Sequence, residues 1–246
     1  MLTSLLRSGM DYREIIIYLL LFIPIFLISF SVHEAAHAYT AWKLGDPTAR
    51  NLGRLTLNPL KHLDPIGTVA MLLIGIGYGK PVPINSRYFK KPKRDMAISS
   101  AAGPLSNLLL AVIGTLLYNL TNLLVRHFTP LKLVELGIWN FSDAAELGAP
   151  TGAIVGMIIM TFFFYFSWMN VSLAIFNMIP IPPFDGSRIL LTVLPDRLYW
   201  KVMKYERYIM IALIVILYIL PFSIVSPIAE KVLSGIYFLT RWIAML

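Results

Sequence analysis

The run IIIYLLLFIPIFLISFSVHEAAHAYTAW, Ile15 to Trp42, decides how the rest of this chain is read. Its first part, Ile15 to Val32, carries no charge, as a helix crossing a bilayer requires. Pro24 can bend that helix, and Gly45-Asp46-Pro47 stops it. Set into its end is His33-Glu34-Ala35-Ala36-His37. At about 1.5 Å per residue, His33 lies roughly 27 Å beyond Ile15, near the far side of the hydrocarbon layer. Positions i and i+4 share a helix face, so His33 and His37 can offer two imidazole nitrogens to one ion. Glu34 points off that line and is free to handle the proton of a water activated there. The bland alternative is a pair of histidines hydrogen-bonded at a helix end. Against it stands depth: ionisable groups inside a membrane are costly and functional by default.

Composition agrees with a multi-pass membrane protein. Of 246 residues, 57% are hydrophobic and 14% charged, and the mean hydropathy is +0.71. Several uncharged runs exceed the length of a bilayer span. The chain has no cysteine, which excludes disulfides, thiolate metal sites and thiol catalysis. The net charge of +8 would point to nucleic acid in a soluble protein. Here it reads as loops retained on the cytoplasmic side, with no nucleic-acid partner. Ile15 to Val32 is too long for a signal peptide and runs directly into the histidine motif.

The fold expected is an all-α polytopic membrane protein forming a single domain over 1–246. Three core helices run at about 15–42, 97–125 and 151–178, with accessory helices at about 208–224 and 228–245. The last of these either spans the membrane or lies on it. Residues 1–14 read as an interfacial lead-in. Between the first two core helices a short β or re-entrant element is expected. Asn51 to Pro59 alternates apolar and polar residues like a strand. Ile66 to Gly79 is uncharged and glycine-rich but too short to span comfortably, which suits a re-entrant hairpin. Lys80-Pro81-Val82-Pro83-Ile84-Asn85 is extended by its prolines.

Lysine and arginine set the orientation. The segment 43–94 holds ten and 188–207 holds five, against two each in 1–14 and 126–149. Both rich segments fall on the cytoplasmic side if the N-terminus is outside. The histidine motif and Asp185 then both lie near the cytoplasmic face. Zinc held by two imidazoles usually takes a third protein ligand and keeps a fourth position for water. Asp185 is the best candidate, because it ends a long uncharged run behind the stiff segment Asn177 to Phe184. Its alternative role is N-cap of the following helix.

At this point the chain resembles the site-2 protease family of intramembrane zinc metalloproteases. The resemblance rests on three motifs together: His33-Glu34-x-x-His37, Gly103-Pro104-x-x-Asn107, and Asn177-x-x-Pro180-x-Pro182-x-x-Asp185-Gly186. It implies one Zn2+ per chain bound by His33, His37 and Asp185, with Glu34 as catalytic base. It also implies that Asn107 and Asn177 lie near the site to hold substrate or stabilise the oxyanion. Substrates would be transmembrane proteins or peptides cut in or next to their membrane segments. The chain is most similar to the compact prokaryotic branch without PDZ or CBS modules. A substrate helix must unwind to be cut, and the stretches near 52–57 and 81–84 could receive it by edge pairing.

Two other functions fit part of the pattern. A membrane metal transporter would carry several ligand sets or an internal repeat, and one set and no repeat are found. A non-catalytic relative that only holds membrane segments would have no need of Glu34. His62 and His127 lack partners at ligand spacing and read as interfacial histidines. The orientation has a direct test: a reporter fused after Lys93 should read cytoplasmic and one inserted near Ser142 external. The opposite pattern would mean that the site faces outward.

Overall fold

The computed structural model describes residues 12–74, 77–128, 148, 150–192, 194–205, 208–209, 212 and 225–245. Three of its helices are long and apolar enough to cross a membrane: α1 (Tyr12–Lys43), α4 (Pro92–Phe128) and α5 (Thr151–Asn177). Short helices lie between and after them: α2 (Thr48–Asn51), α3 (Pro65–Ile74), α6 (Asp185–Leu191), α7 (Asp196–Lys204) and α8 (Val225–Thr240). Helix α4 packs along α5 and also against α1 and α6. It begins earlier than its apolar run. Pro92 needs no helical N–H partner in the first turn, and the buried Asp95 caps that turn by accepting from Lys91 N at 3.0 Å.

Small residues let the helices approach closely. Ala111 of α4, Val171 of α5 and Ala229 of α8 are each fully buried against one another, with Trp168, Ile175, Val232 and Leu233 around them. Without a hydrophobic drive between helices in lipid, close packing of this kind is what joins them. The expected last helix is therefore present as α8, continued by a 3-10 turn over Arg241–Met245. The expected helix at 208–224 lies almost wholly outside the described residues.

The stretch between α1 and α4 is helical and irregular. Among the described residues it forms no strand, only a single antiparallel bridge between Leu63 and Gly79. The alternation of Asn51 to Pro59 misleads because its apolar members make no common buried face: Leu52 and Leu57 are both exposed. The chain instead leaves α2 through Gly53, whose φ of +66° admits glycine readily. The hairpin reading of 66–79 fares better. Helix α3 has ten residues, about 15 Å, roughly half a hydrocarbon layer. Asp64 Oδ1 caps it by accepting from Ile66 N and Gly67 N, both at 3.0 Å. The chain then returns so closely that a Cβ on Gly67 would sit 1.9 Å from Tyr78 O.

Overpacking should weaken the contact of α4, α5 and α8. Ala111→Leu is expected to destabilise the protein by about 1–3 kcal/mol, whereas Leu109→Ala, on the exposed side of α4, should change little. Thermal unfolding in detergent measures both. Equal unfolding temperatures for wild type and Ala111→Leu would count against this packing.

Candidate metal centre

His33 and His37 stand one turn apart on α1, both buried, with their rings at 89° to one another. Their Nε2 atoms are 3.0 Å apart. Asp185 Oδ2 lies 3.1 Å from His33 Nε2 and 3.2 Å from His37 Nε2. Residues 148 positions apart thus place three donor atoms at the corners of a near-equilateral triangle.

Asp185 reaches this point because the chain after α5 cannot continue as a helix. Pro180, Pro182 and Pro183 forbid it, and the Phe176 and Phe184 rings meet at 4.2 Å across the turn. Gly186 passes so close to the end of α5 that a Cβ there would lie 2.2 Å from Met178 O. Phe184, not Asp185, is the N-cap of α6, and no side chain caps it. The capping alternative for Asp185 is thereby removed, and its carboxylate faces the histidines.

The chemistry of the three donors calls for a cation. His37 Nδ1 donates to Ser99 O at 2.7 Å, and a carbonyl can only accept. His33 Nδ1 donates to Asn107 Oδ1 at 2.6 Å. The orientation of Asn107 follows from its other end, where Nδ2 donates to Ser29 O at 3.2 Å and to Asn170 Oδ1 at 2.8 Å. Asn170 Nδ2 in turn donates to Ser29 Oγ and Phe166 O, each at 2.8 Å. Both imidazoles therefore carry a proton on Nδ1, which leaves Nε2 as the atom that can give a lone pair to a metal ion. With Nε2 bare on both rings, as a metal ligand requires, the three atoms would repel one another, and a metal ion at their centre would reverse the sign. Tetrahedral zinc with bonds near 2.05 Å separates its ligand atoms by about 3.3 Å, close to the observed edges.

Helix α4 leaves room for this arrangement at one residue. A Cβ on Gly103 would meet His37 Nε2 at 2.4 Å and His33 Cε1 at 2.6 Å. The glycine of the Gly103-Pro104 pair is thus the surface on which the two rings lie.

Glu34 is buried beside the histidines but faces another partner. Its Oε2 accepts from Val82 N at 3.1 Å, and among the described residues no donor engages its Oε1. Val82 belongs to the segment 80–85, which is neither helix nor strand and whose last residue, Asn85, has an extended backbone. Its polar groups are largely taken: Arg54 Nη2 donates to Lys80 O at 2.5 Å and Pro81 O at 3.3 Å. That leaves little of the free strand edge expected at 81–84, and 52–57 is turn and bend.

Of the residues expected here, His33, Glu34, His37 and Asp185 come together. Asn107 is also present, but its two amide hydrogens are spent on Ser29 and Asn170, so it orients His33 and is not a free oxyanion donor. Asn177 ends α5, where Nδ2 donates to Leu173 O at 3.0 Å; among the described residues no hydrogen bond joins it to the cluster. His62, expected at the interface, is fully buried, with Nε2 donating to Thr56 O at 2.9 Å. Sequence reasoning missed Asn170, Ser29 and Ser99. Asn170 carried a usable signal, being an amide well inside an uncharged span.

Comparison with known proteins agrees with this geometry. The chain is 39% identical over 190 residues to "Putative zinc metalloprotease YwhC" of Bacillus subtilis, covering 77% of this chain and 76% of that protein. It is 32% identical over 166 residues to "Putative zinc metalloprotease Rip2" of Mycolicibacterium smegmatis, covering 65% of this chain but only 52% of the relative. The Rip2 of Mycobacterium tuberculosis is 29% identical over the same length. No solved structure matches the chain. The model of Peptidase family M50 matches residues 21–220, a stretch that contains every member of the cluster and Glu34, and the chain belongs to that family.

Proposed function

We propose that this chain is an intramembrane zinc metalloendopeptidase that cuts peptide bonds in or next to the membrane-spanning segments of other proteins. It holds one zinc ion through His33, His37 and Asp185. The observation that carries the reading is the trio of possible ligand atoms, 3.0 to 3.2 Å apart, at the end of a span-length helix and beside the free oxygen of Glu34. The names of the relatives support it. So does the family, and regulated intramembrane proteolysis is the role this reading assigns. The whole of 1–246 serves as one catalytic domain, with the N-terminus outside and the site near the cytoplasmic face. Among the described residues one group of three possible ligands is found, which disfavours a transport path.

When bound, the ion supplies Lewis acidity and acidifies a water. The residues do the rest. Glu34 Oε1 takes the proton of the attacking water and returns it to the leaving amine. Ser99 and Asn107 keep both rings in the tautomer that binds metal. Asn177 retains an amide hydrogen beyond the one given to Leu173 and is the remaining candidate for a substrate or oxyanion contact.

Two experiments test this reading. Glu34→Gln should keep its zinc and fold yet lose turnover by at least ~10², and should retain an uncleaved membrane substrate on purification. Wild-type turnover in that variant would overthrow the mechanism. Elemental analysis of His33→Ala, His37→Ala and Asp185→Ala should show loss of zinc. Gly103→Ala, which touches no metal, should lose it too by displacing both rings. Full occupancy in Asp185→Ala would remove that residue from the site.

A further inference from the structure

Asp46 lies beyond the end of α1, outside the metal cluster, and is fully buried. A buried carboxylate is expensive unless hydrogen bonds replace its hydration. Here Oδ1 accepts from Thr48 N at 2.9 Å and Thr48 Oγ1 at 2.5 Å, while Oδ2 accepts from Asn85 N at 2.7 Å. The Thr48 bonds are local and close the turn after α1. The Asn85 bond crosses 39 positions and holds the far end of the segment 80–85. The near end is held by Lys80 N donating to His62 O at 2.7 Å and by Arg54 on Lys80 O. Between these anchors Pro81 and Pro83 have no N–H and a restricted φ, so Val82 has the one amide donor of the Pro81–Pro83 stretch. That donor is the one on Glu34 Oε2.

We propose that Asp46 is a positioning residue for the reaction. By holding Asn85 it keeps the 80–85 strap seated, so that the Val82 amide fixes Glu34 Oε2 and leaves Oε1 to face the attacking water. The proposal rests on the reading of Glu34 as general base. The reach of Asp46 to Asn85 is what couples the turn to the site. Ala41, Phe89 and Met96, with Leu44 and Ile84 packed against them, form an apolar seat beneath the strap, so that a small shift at Asn85 has no soft element to absorb it.

Hydrogen exchange of the full-length protein in detergent tests this without reference to activity. Lys80, Val82, Ile84 and Asn85 alone carry amide hydrogens in the strap. In Asp46→Ala the amides of Val82 and Asn85 should exchange faster together, by about tenfold or more, because the strap loses its far anchor. With a labelled single-span membrane protein that the wild type cleaves as substrate, kcat should fall by about tenfold while KM and bound zinc stay at wild-type values. Asp46→Asn keeps one acceptor oxygen and should fall between wild type and Asp46→Ala on both readouts; it carries the same test if the alanine variant does not fold. Asn85 exposed with Val82 still protected would reduce Asp46 to a local staple and overturn the proposal. Joint exposure with unchanged kcat would overturn it equally. Failure of the general-base reading would show elsewhere, as undiminished turnover in Glu34→Gln, with the exchange pattern of the Asp46 variants intact.

Discussion

Everything at this site depends on two hydrogen bonds that point away from it. His37 Nδ1 gives its proton to the Ser99 carbonyl and His33 Nδ1 gives its proton to Asn107. Were either ring to hold its proton on Nε2 instead, it would present a donor to Asp185 and satisfy the carboxylate by an ordinary hydrogen bond. With Nδ1 donating in both rings, Nε2 is the atom each neutral imidazole offers as a ligand. The amides Asn107 and Asn170 and the hydroxyl of Ser29 form the chain that enforces this choice, running from α1 through α4 to α5 and back. At bilayer depth such a chain has no water to fall back on, so each member is held by the next.

A second layer of control comes from the irregular region between α1 and α4. His62 is its keystone: its ring holds Thr56 O, its carbonyl holds Lys80 N, and its neighbour Leu63 bridges Gly79. The hairpin containing α3 thus closes at its base and delivers the strap directly over Glu34. Prolines in the strap remove donors that a passing substrate or a neighbouring strand could capture, and leave the one that Glu34 uses.

Much of this was legible in the residues because membranes make polar groups conspicuous. The histidine motif, Asp185 behind its prolines and the three core spans all stood out as charges or breaks in apolar runs. The strand over 51–59 was misread for the opposite reason: alternation signals a half-buried face only in water, and in a membrane protein exposed leucines such as Leu52 and Leu57 follow the same pattern. The start of α4 was placed late because its first turn is polar and capped by Asp95. Asn107 was recognised as a site residue, but its role turned on which end of its amide faces His33, and only Asn170 and Ser29 decide that. Such orientations depend on contacts across 63 and 78 positions, for which a single sequence offers no spacing rule.

Helix α4 provides the final step in understanding why the cluster holds its shape. It contributes no atom to the triangle of donors, yet it packs against α1, which carries the histidines, against α6, which begins at Asp185, and against α5, which carries Asn170. Ser99 and Asn107 fix the rings from behind while Gly103, between them in sequence, lets the rings lie against the helix. Pro104 removes one backbone donor in the middle of this stretch, and the helix continues through it because packing on three sides supplies what the missing bond does not. The three donor atoms arrive on two independent pieces of chain, a rigid helix and a proline-stiffened loop, and neither could set the distance to the other. That distance is set by α4, which makes the helix that contributes none of the three atoms the element on which the triangle rests.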